Sequence, residues 1–367
     1  MSKVLLKDIA EIQSGPFGTQ LHKDEYVTNG ILMLNAKNIG NGLVLTESVD
    51  YVSDDVCSRL SQYVLKEGDI LFGRAGSIER HTYIDERYIG CFQGTNCIRI
   101  RCNNPDISRF VSYYLWLPIV KQRIENQTGG SILSYITSDL LKEIEIDLPD
   151  ESTIKKVTNA LLLIDKKILN NNRINDNLAA MAYDTYMHTF YGKKPNRKLN
   201  DILVENDKSK VQVGEAKESD GNYPFFTSGE AILRWKENFV DGRNCFLNTG
   251  GNADVKFYVG KAAYSTDTWC ISANRNLSDY MYLLLLSIKP ELDKKFFQGT
   301  GLKHLQKPLL RDRPIYIPDT DEISAFNSRV QHWFDIIAEN TRENQHLTSL
   351  RDWLLPMLMN GQATIED

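Results

Sequence analysis

Residues 171–178 read NNRINDNL and residues 340–347 read NTRENQHL. Both lie inside stretches patterned as amphipathic helices, and both put asparagine where that pattern wants an apolar side chain. With Ile154 as position a of a heptad, the a and d positions of the first stretch are Ile154, Val157, Leu161, Ile164, Ile168, Asn171, Asn175, Leu178, Ala182 and Thr185. Started at Ile323, the second gives Ile323, Phe326, Val330, Trp333, Ile337, Asn340, Asn344, Leu347, Arg351 and Leu354. A mainly apolar seam sustained over three heptads or more reads as a coiled coil. In both helices asparagine takes the same d and the next a.

A seam asparagine weakens a coiled coil but specifies its register, because only matched pairing satisfies the amide. Two helices from a repeat pair naturally about a pseudo-twofold axis, which makes them antiparallel, and then a faces d. Asn171 is expected to meet Asn344, and Asn175 to meet Asn340. Ile168 then lies against Leu347, Leu178 against Ile337, and small Ala182 against large Trp333. About 35 residues at 1.5 Å rise make a rod of roughly 50 Å, longer than one DNA turn of about 34 Å.

The repeat extends beyond the helices. At one constant offset Pro149 falls on Pro318, Ile154 on Ile323, Asn171 on Asn340, Arg173 on Arg342, Asn175 on Asn344, Leu178 on Leu347 and Gly192 on Gly361. Upstream, LLKDIAEI echoes KLNDILVE, ILFGRAGSI (70–78) echoes CFLNTGGNA (245–253), and QTGGSI (127–132) echoes QGTGLK (298–303). Short runs rich in Val, Ile, Tyr and Phe alternate with Gly/Asn turns, while SRFVSYYLWLPIVKQRIENQ and LSDYMYLLLLSI read as helices. The expected fold is therefore α+β: two globular α/β domains in pseudo-twofold repeat, joined by two long antiparallel coiled-coil helices. The boundaries fall at 1–150 (first domain), 151–195 (central helical spacer), 196–320 (second domain) and 321–367 (C-terminal helical spacer). The globular units differ most in their polar loops, the pattern of two readers with two targets.

Composition narrows the function. A hydrophobic content of 42% with 25% charged residues is that of a soluble globular protein. The longest apolar run, YMYLLLLSI (280–288), is about half of the 18 or so residues needed to span a bilayer. The N-terminal MSKVLLKDIAEIQSG has no signal-sequence pattern, so the cytoplasm is the expected location. Six cysteines show no C-x-x-C and no histidine at zinc spacing, which argues against a metal site. The net charge of −5, from 43 basic and 48 acidic residues, gives no global sign of nucleic-acid binding. DNA binding therefore needs local basic patches or a basic partner. Nucleotide-loop, zinc-protease and nucleophile-elbow motifs are absent from the sequence. Asn222-Tyr-Pro-Phe only faintly echoes the N-P-P-Y loop of amino-methyltransferases, with Tyr223 in place of the first proline. No catalytic residue is assigned.

Two diverged globular units, each followed by a near-repeated helix, resemble the specificity subunits of Type I restriction-modification systems. The resemblance covers the whole chain: LKDIAEIQSGPFG at the start, the turns LFGRAGSI and TGGSI, and the ending LTSLRDWLLPMLMNGQ (347–362). It implies a non-catalytic, sequence-specific reader of double-stranded DNA, in which each target recognition domain contacts one half of a bipartite asymmetric site. It further implies helices that set the spacing and dock two methyltransferase (M) subunits, and restriction (R) subunits that can join. No cofactor is expected in this chain, since S-adenosylmethionine, ATP and Mg belong to the partner subunits. No membrane partner is expected. A duplicated coiled-coil scaffold binding proteins or glycans is the alternative reading.

Base reading needs Arg, Lys, Asn, Gln, Ser or Thr on elements that enter a groove. In the first unit the candidates are Lys37, Asn38, Arg74, Ser77, Arg80, Gln93, Thr95, Asn96, Thr128 and Ser131. Arg74 leads them, because arginine on guanine is the commonest specific contact. In the second they are Thr227, Ser228, Asn248, Thr249, Asn252, Lys256, Thr266, Thr268, Thr300, Lys303 and His304.

Overall fold

Two long helices, Glu151–Thr189 and Thr320–Met359, begin and end in the same way. Each starts just after a Pro-Asp pair. Asp150 accepts from the backbone N–H of Thr153 at 3.0 Å, and Asp319 accepts from Glu322 N at 2.9 Å. Glu322 returns the contact to Asp319 N at 3.1 Å, completing a capping box. Beyond each helix a glycine takes the left-handed backbone that closes it, Gly192 at φ 80° and Gly361 at φ 69°.

The computed structural model describes residues 2–75, 80–127 and 135–365. They divide into two compact units, one within 1–166 plus 348–367 and one within 167–347. Each unit takes in part of both long helices. Packing therefore divides the chain part-way along both helices, between 166 and 167 and between 347 and 348.

In the first unit, β1 (Ala10–Ser14), β2 (Ile31–Leu34), β3 (Ile70–Gly73), β4 (His81–Tyr83), β5 (Phe92–Gln93) and β6 (Cys97–Cys102) follow one another along the chain. β1, β6, β3 and β4 form an antiparallel sheet in that order, and β2 pairs with β5 in parallel through Met33 and Phe92. All four residues of β3 are buried, which suits its near-continuous apolar sequence.

The second unit repeats this plan strand for strand: β7 (Leu203–Glu205), β8 (Tyr223–Phe226), β9 (Arg243–Asn248), β10 (Val255–Val259), β11 (Ala263–Tyr264) and β12 (Thr268–Ala273). Its sheet order is β7, β12, β9, β10, and β8 pairs with β11 in parallel through Phe225 and Ala263. In each unit the segment before its long helix also pairs antiparallel with the segment opening that unit: Ser2–Leu5 with Glu145–Leu148, and Arg197–Lys198 with Pro314–Ile315.

Helix and sheet share a core within each unit. Ile154, Val157, Leu161, Leu355, Leu358 and Met359 pack with Phe72, Ile98 and Phe110 in the first. Ala182, Tyr186, Phe190, Ile323, Phe326 and Val330 pack with Trp269, Ile271 and Tyr280 in the second. Each large side chain so buried contributes about 1.5–3 kcal/mol. The heptad reading put only a and d positions inside. The second helix also buries Phe334 against Phe257 and Tyr282, with ring centroids 4.9 and 5.6 Å apart, and Ala338 in the cluster of Phe226 and Tyr258. That helix serves a partner helix with one face and its own sheet with another.

Candidate nucleic-acid interface

Two glycines shape a cleft in the first unit. A Cβ on Gly15 would lie 2.0 Å from Gly94 O, and one on Gly94 would lie 2.0 Å from Asn35 Oδ1. This close approach brings together the loop after β1, the end of β2 and the turn between β5 and β6. Around them opens a cleft of about 680 Å³ that contains four of the expected readers, Lys37, Arg74, Thr95 and Asn96. Phe17, His22, Lys23, Asn35 and Asp50 also line it, and sequence reasoning missed all five. The signal for Phe17, His22 and Lys23 was the GPFG turn followed by a basic residue, and Asn35 lies two residues before Lys37.

The cleft is basic within an acidic chain. Lys23, Lys37 and Arg74 face it with Asp50 as the acidic counterpart, which Lys37 meets at 3.0 Å. Asn35 donates to the same carboxylate at 3.0 Å. Tyr26 has its phenol pushed up by burial and by Asp50, while Thr95 hydrogen-bonds it and acts in the opposite sense. Arg74 is held through its backbone, with its N–H donating to Asn96 O at 2.8 Å and its carbonyl accepting from Ile136 N at 3.1 Å. Among the described residues its guanidinium makes no hydrogen bond or ion pair, so its fork is open to a base edge or phosphate.

Other expected readers are turned inward. Asn38 is 1% exposed and donates to Leu45 O at 2.8 Å and Ser48 O at 3.0 Å. Gln93 is buried and donates to Gln13 O at 2.9 Å. Both hold loops in place and present no side chain to a groove. Arg80 is half-buried beside β4. Ser77, Thr128 and Ser131 lie outside the described residues.

In the second unit the loops again meet at one end of the sheet. Thr249 donates from its N–H and hydroxyl to Asp267 O, both at 3.0 Å, and accepts from Leu305 N at 3.0 Å. Gly251 N donates to Lys303 O at 3.0 Å, beside a bridge between Gly250 and His304. Asn252, Thr300 and His304 are exposed here, and Ser228 and Thr266 partly so. Lys256 donates to Thr227 O at 2.9 Å, tying the 227–231 turn to β10. Lys303 pairs with Asp293 at 3.0 Å and Lys256 with Asp254 at 3.6 Å, so both lysines carry a nearby countercharge.

Three candidates of this unit are structural. Buried Thr227 donates to Ala231 O at 2.9 Å, and Thr268 donates to Phe226 O at 3.2 Å. Asn248 spans its turn, donating to Gly250 O at 3.1 Å and accepting from Asp254 N at 2.7 Å. These residue types cap turns as readily as they read bases, and burial decides which.

Strand β9 is anchored to the second long helix by charge. Arg243 reaches Asp279 at 2.7 Å with one nitrogen and Asp335 on the helix with the other. Asp279 is fully buried; burial pushes its carboxyl up and outweighs the opposing pull of Arg243. In the first unit Asp165 of one long helix accepts from Tyr113 at 2.6 Å and from Arg351 of the other at 3.1 Å. The arginine that broke the heptad seam is therefore a partner within it.

Asn171 donates to Asn344 Oδ1 at 2.9 Å and to Glu343 Oε2 at 2.6 Å, and Asn340 donates to Asn175 Oδ1 at 2.8 Å. Rising numbers on one helix meet falling numbers on the other, so the pair is antiparallel. Asn344 also donates to Asn172 at 2.8 Å. Glu343, bonded by Asn171 and Lys167, is held below the usual carboxylate range. Ile168, Leu178, Ile337 and Leu347 flank this layer, each half-buried.

Among the described residues no group of ligands could hold a metal ion, and no helix is long and apolar enough to cross a membrane. The family model described as Type I restriction modification DNA specificity domain matches residues 1–180 and 193–347. The Type I restriction enzyme MjaIX specificity subunit of Methanocaldococcus jannaschii is 20% identical, covering 99% of this chain and 93% of its own length. The MjaVIII specificity subunit of the same organism is 28% identical over 45% of this chain and 39% of its own. The crystal structure of the S subunit of a Type I restriction-modification system from M. genitalium superposes with a TM-score of 0.61 at 15% identity, covering 97% of this chain and 95% of that one.

Proposed function

We propose, since this chain belongs to the Type I restriction-modification DNA specificity family, that it reads a bipartite DNA sequence, one half through each repeat unit. The observation that carries this is the first unit's cleft, where Arg74, Lys23 and Lys37 gather around Thr95 and Asn96. Cations there supply phosphate affinity, and an uncommitted guanidinium beside amide and hydroxyl groups matches base edges in the major groove.

The helix pair, with its asparagine-matched register, sets the spacing between half-sites on this reading. It also offers two related surfaces to two copies of a modification subunit, the arrangement a pseudo-twofold favours. Leu163, at 69% exposure, and Trp353, at 58%, leave apolar surface on the long helices that such a partner can cover. Methyl transfer with S-adenosylmethionine, and ATP- and Mg-dependent cleavage by restriction subunits, belong to those partners. The complex acts on DNA in the cytoplasm, and this chain supplies its address.

Methylome sequencing of cells with and without this chain is the test. A bipartite adenine-methylation motif that vanishes with the chain is expected, and an unchanged methylome overturns the reading. Arg74→Ala should relax one position of one half-site, at a cost of about 1–3 kcal/mol in discrimination.

A further inference from the structure

The cleft carries an exposed aromatic side chain that neither cationic nor amide chemistry explains. Phe17 is 58% exposed at its rim, and among the described residues its ring stacks on no other. Isolated exposed apolar residues are common and usually carry no meaning. This one is different because its backbone is fixed. Phe17 N donates to Gln20 Oε1 at 3.1 Å, and Phe17 O accepts from Gln20 N at 2.8 Å and Leu21 N at 3.2 Å. Gln20 Oε1 in turn accepts from Tyr63 at 2.9 Å, and Tyr63 belongs to a buried cluster. Gly15 packs against Gly94 just before it, seating this turn beside Thr95 and Asn96. The fold thus anchors the backbone that carries an exposed aromatic ring beside groups suited to base edges.

The apolar group that a base pair shows in the major groove is the C5 methyl of thymine. Resting on the reading of this cleft as a DNA reader, we infer that Phe17 is a specificity-determining residue that packs on a thymine methyl in the half-site read by the first unit. Arg74 and Asn96 beside it supply the polar contacts to neighbouring bases. Because the turn that carries the ring is already anchored, contact does not have to order the loop, and the methyl contact translates into discrimination.

The experiment uses the full chain assembled with its modification subunits, and duplexes carrying the sequence it methylates. Each thymine of the two half-sites is replaced singly by deoxyuridine, which removes only the methyl. At one thymine the wild type should lose affinity about 4-fold, the factor for one buried methyl-sized group. Phe17→Ala should bind the thymine duplex about as weakly and show no further loss with deoxyuridine, while Phe17→Leu keeps part of the discrimination. Unchanged thermal unfolding of both variants excludes misfolding as the cause. Discrimination retained by Phe17→Ala overturns the inference, as does a wild type indifferent to every replacement. A 2-aminopurine signal dependent on Phe17 without methyl sensitivity also overturns it, in favour of a wedge between bases. A wild-type complex with no preferred sequence defeats the DNA-reading function itself, a result distinguishable from all of these.

Discussion

Asn171 and Asn344 meet side chain to side chain at 2.9 Å, with Asn171 only 1% exposed. A buried amide without its partner costs more than a pair removed together. Asn171→Leu or Asn344→Leu alone should therefore destabilise the protein by about 1–3 kcal/mol. The double variant should recover much of that loss yet weaken recognition of the two half-sites as one unit. Denaturant unfolding of the double-mutant cycle, with methylation of sites of altered spacing, checks both parts. Additive losses would show that the two amides do not act as a pair.

His81 gives the first unit a pH dependence. It is fully buried, stacked between Phe72 and Trp116 at 4.8 and 4.2 Å, with Nε2 on Ser112 O at 3.0 Å. Burial pushes its pKa down to about 3. The unfolded chain binds a proton near pH 6.5 that the folded chain refuses, so the stability from neutral His81 is complete above pH 6.5. It is lost as pH falls from there toward 3, by about 1.4 kcal/mol per unit. His81→Phe should flatten that slope in unfolding measured across pH 4–7.

Arg243 is expected to be costly to remove. Arg243→Ala leaves Asp279 buried without its cation and should destabilise by about 3–5 kcal/mol at neutral pH. Because burial already pushes the Asp279 carboxyl up, the deficit should shrink as pH falls and Asp279 takes a proton. Adding Asp279→Asn should shrink it at neutral pH. A deficit that neither change relieves would place the role of Arg243 on the helix carboxylate Asp335.

Gly94 and Gly18 separate cleft shape from cleft composition. At Gly94 a methyl would lie 2.0 Å from Asn35 Oδ1 and 2.7 Å from Leu34 O, whereas at Gly18 nothing lies within 4 Å. Gly94→Ala should cost about 1–3 kcal/mol of stability by overpacking and impair reading of one half-site only. Gly18→Ala should stay within about 0.5 kcal/mol of the parent. Thermal unfolding and half-site methylation assays compare them.

The periodic parts of this protein were legible in the sequence. Asparagine at matching heptad phases named the facing pairs, because the phase of a helix is a local property repeated along the chain. The polar turn segments were legible in the sequence, but not which of their side chains stay exposed. Lys37, Arg74, Thr95 and Asn96 share a cleft, while Asn38, Gln93, Thr227, Asn248 and Thr268 are spent inside turns. Composition cannot separate the two roles, since one amide or hydroxyl serves either.

What the chain determined by itself, then, was the duplicated α+β plan, the antiparallel register of its helices and the acidic background against which any DNA contact must be local. Tertiary structure alone decided which polar side chains face solvent. It also placed Phe17 beside Arg74, buried Arg99 at 1% exposure against Glu11 and Gln62, and put Asp279 under Arg243. Periodicity is written in neighbouring residues, whereas desolvation depends on elements that the chain brings together only when it folds.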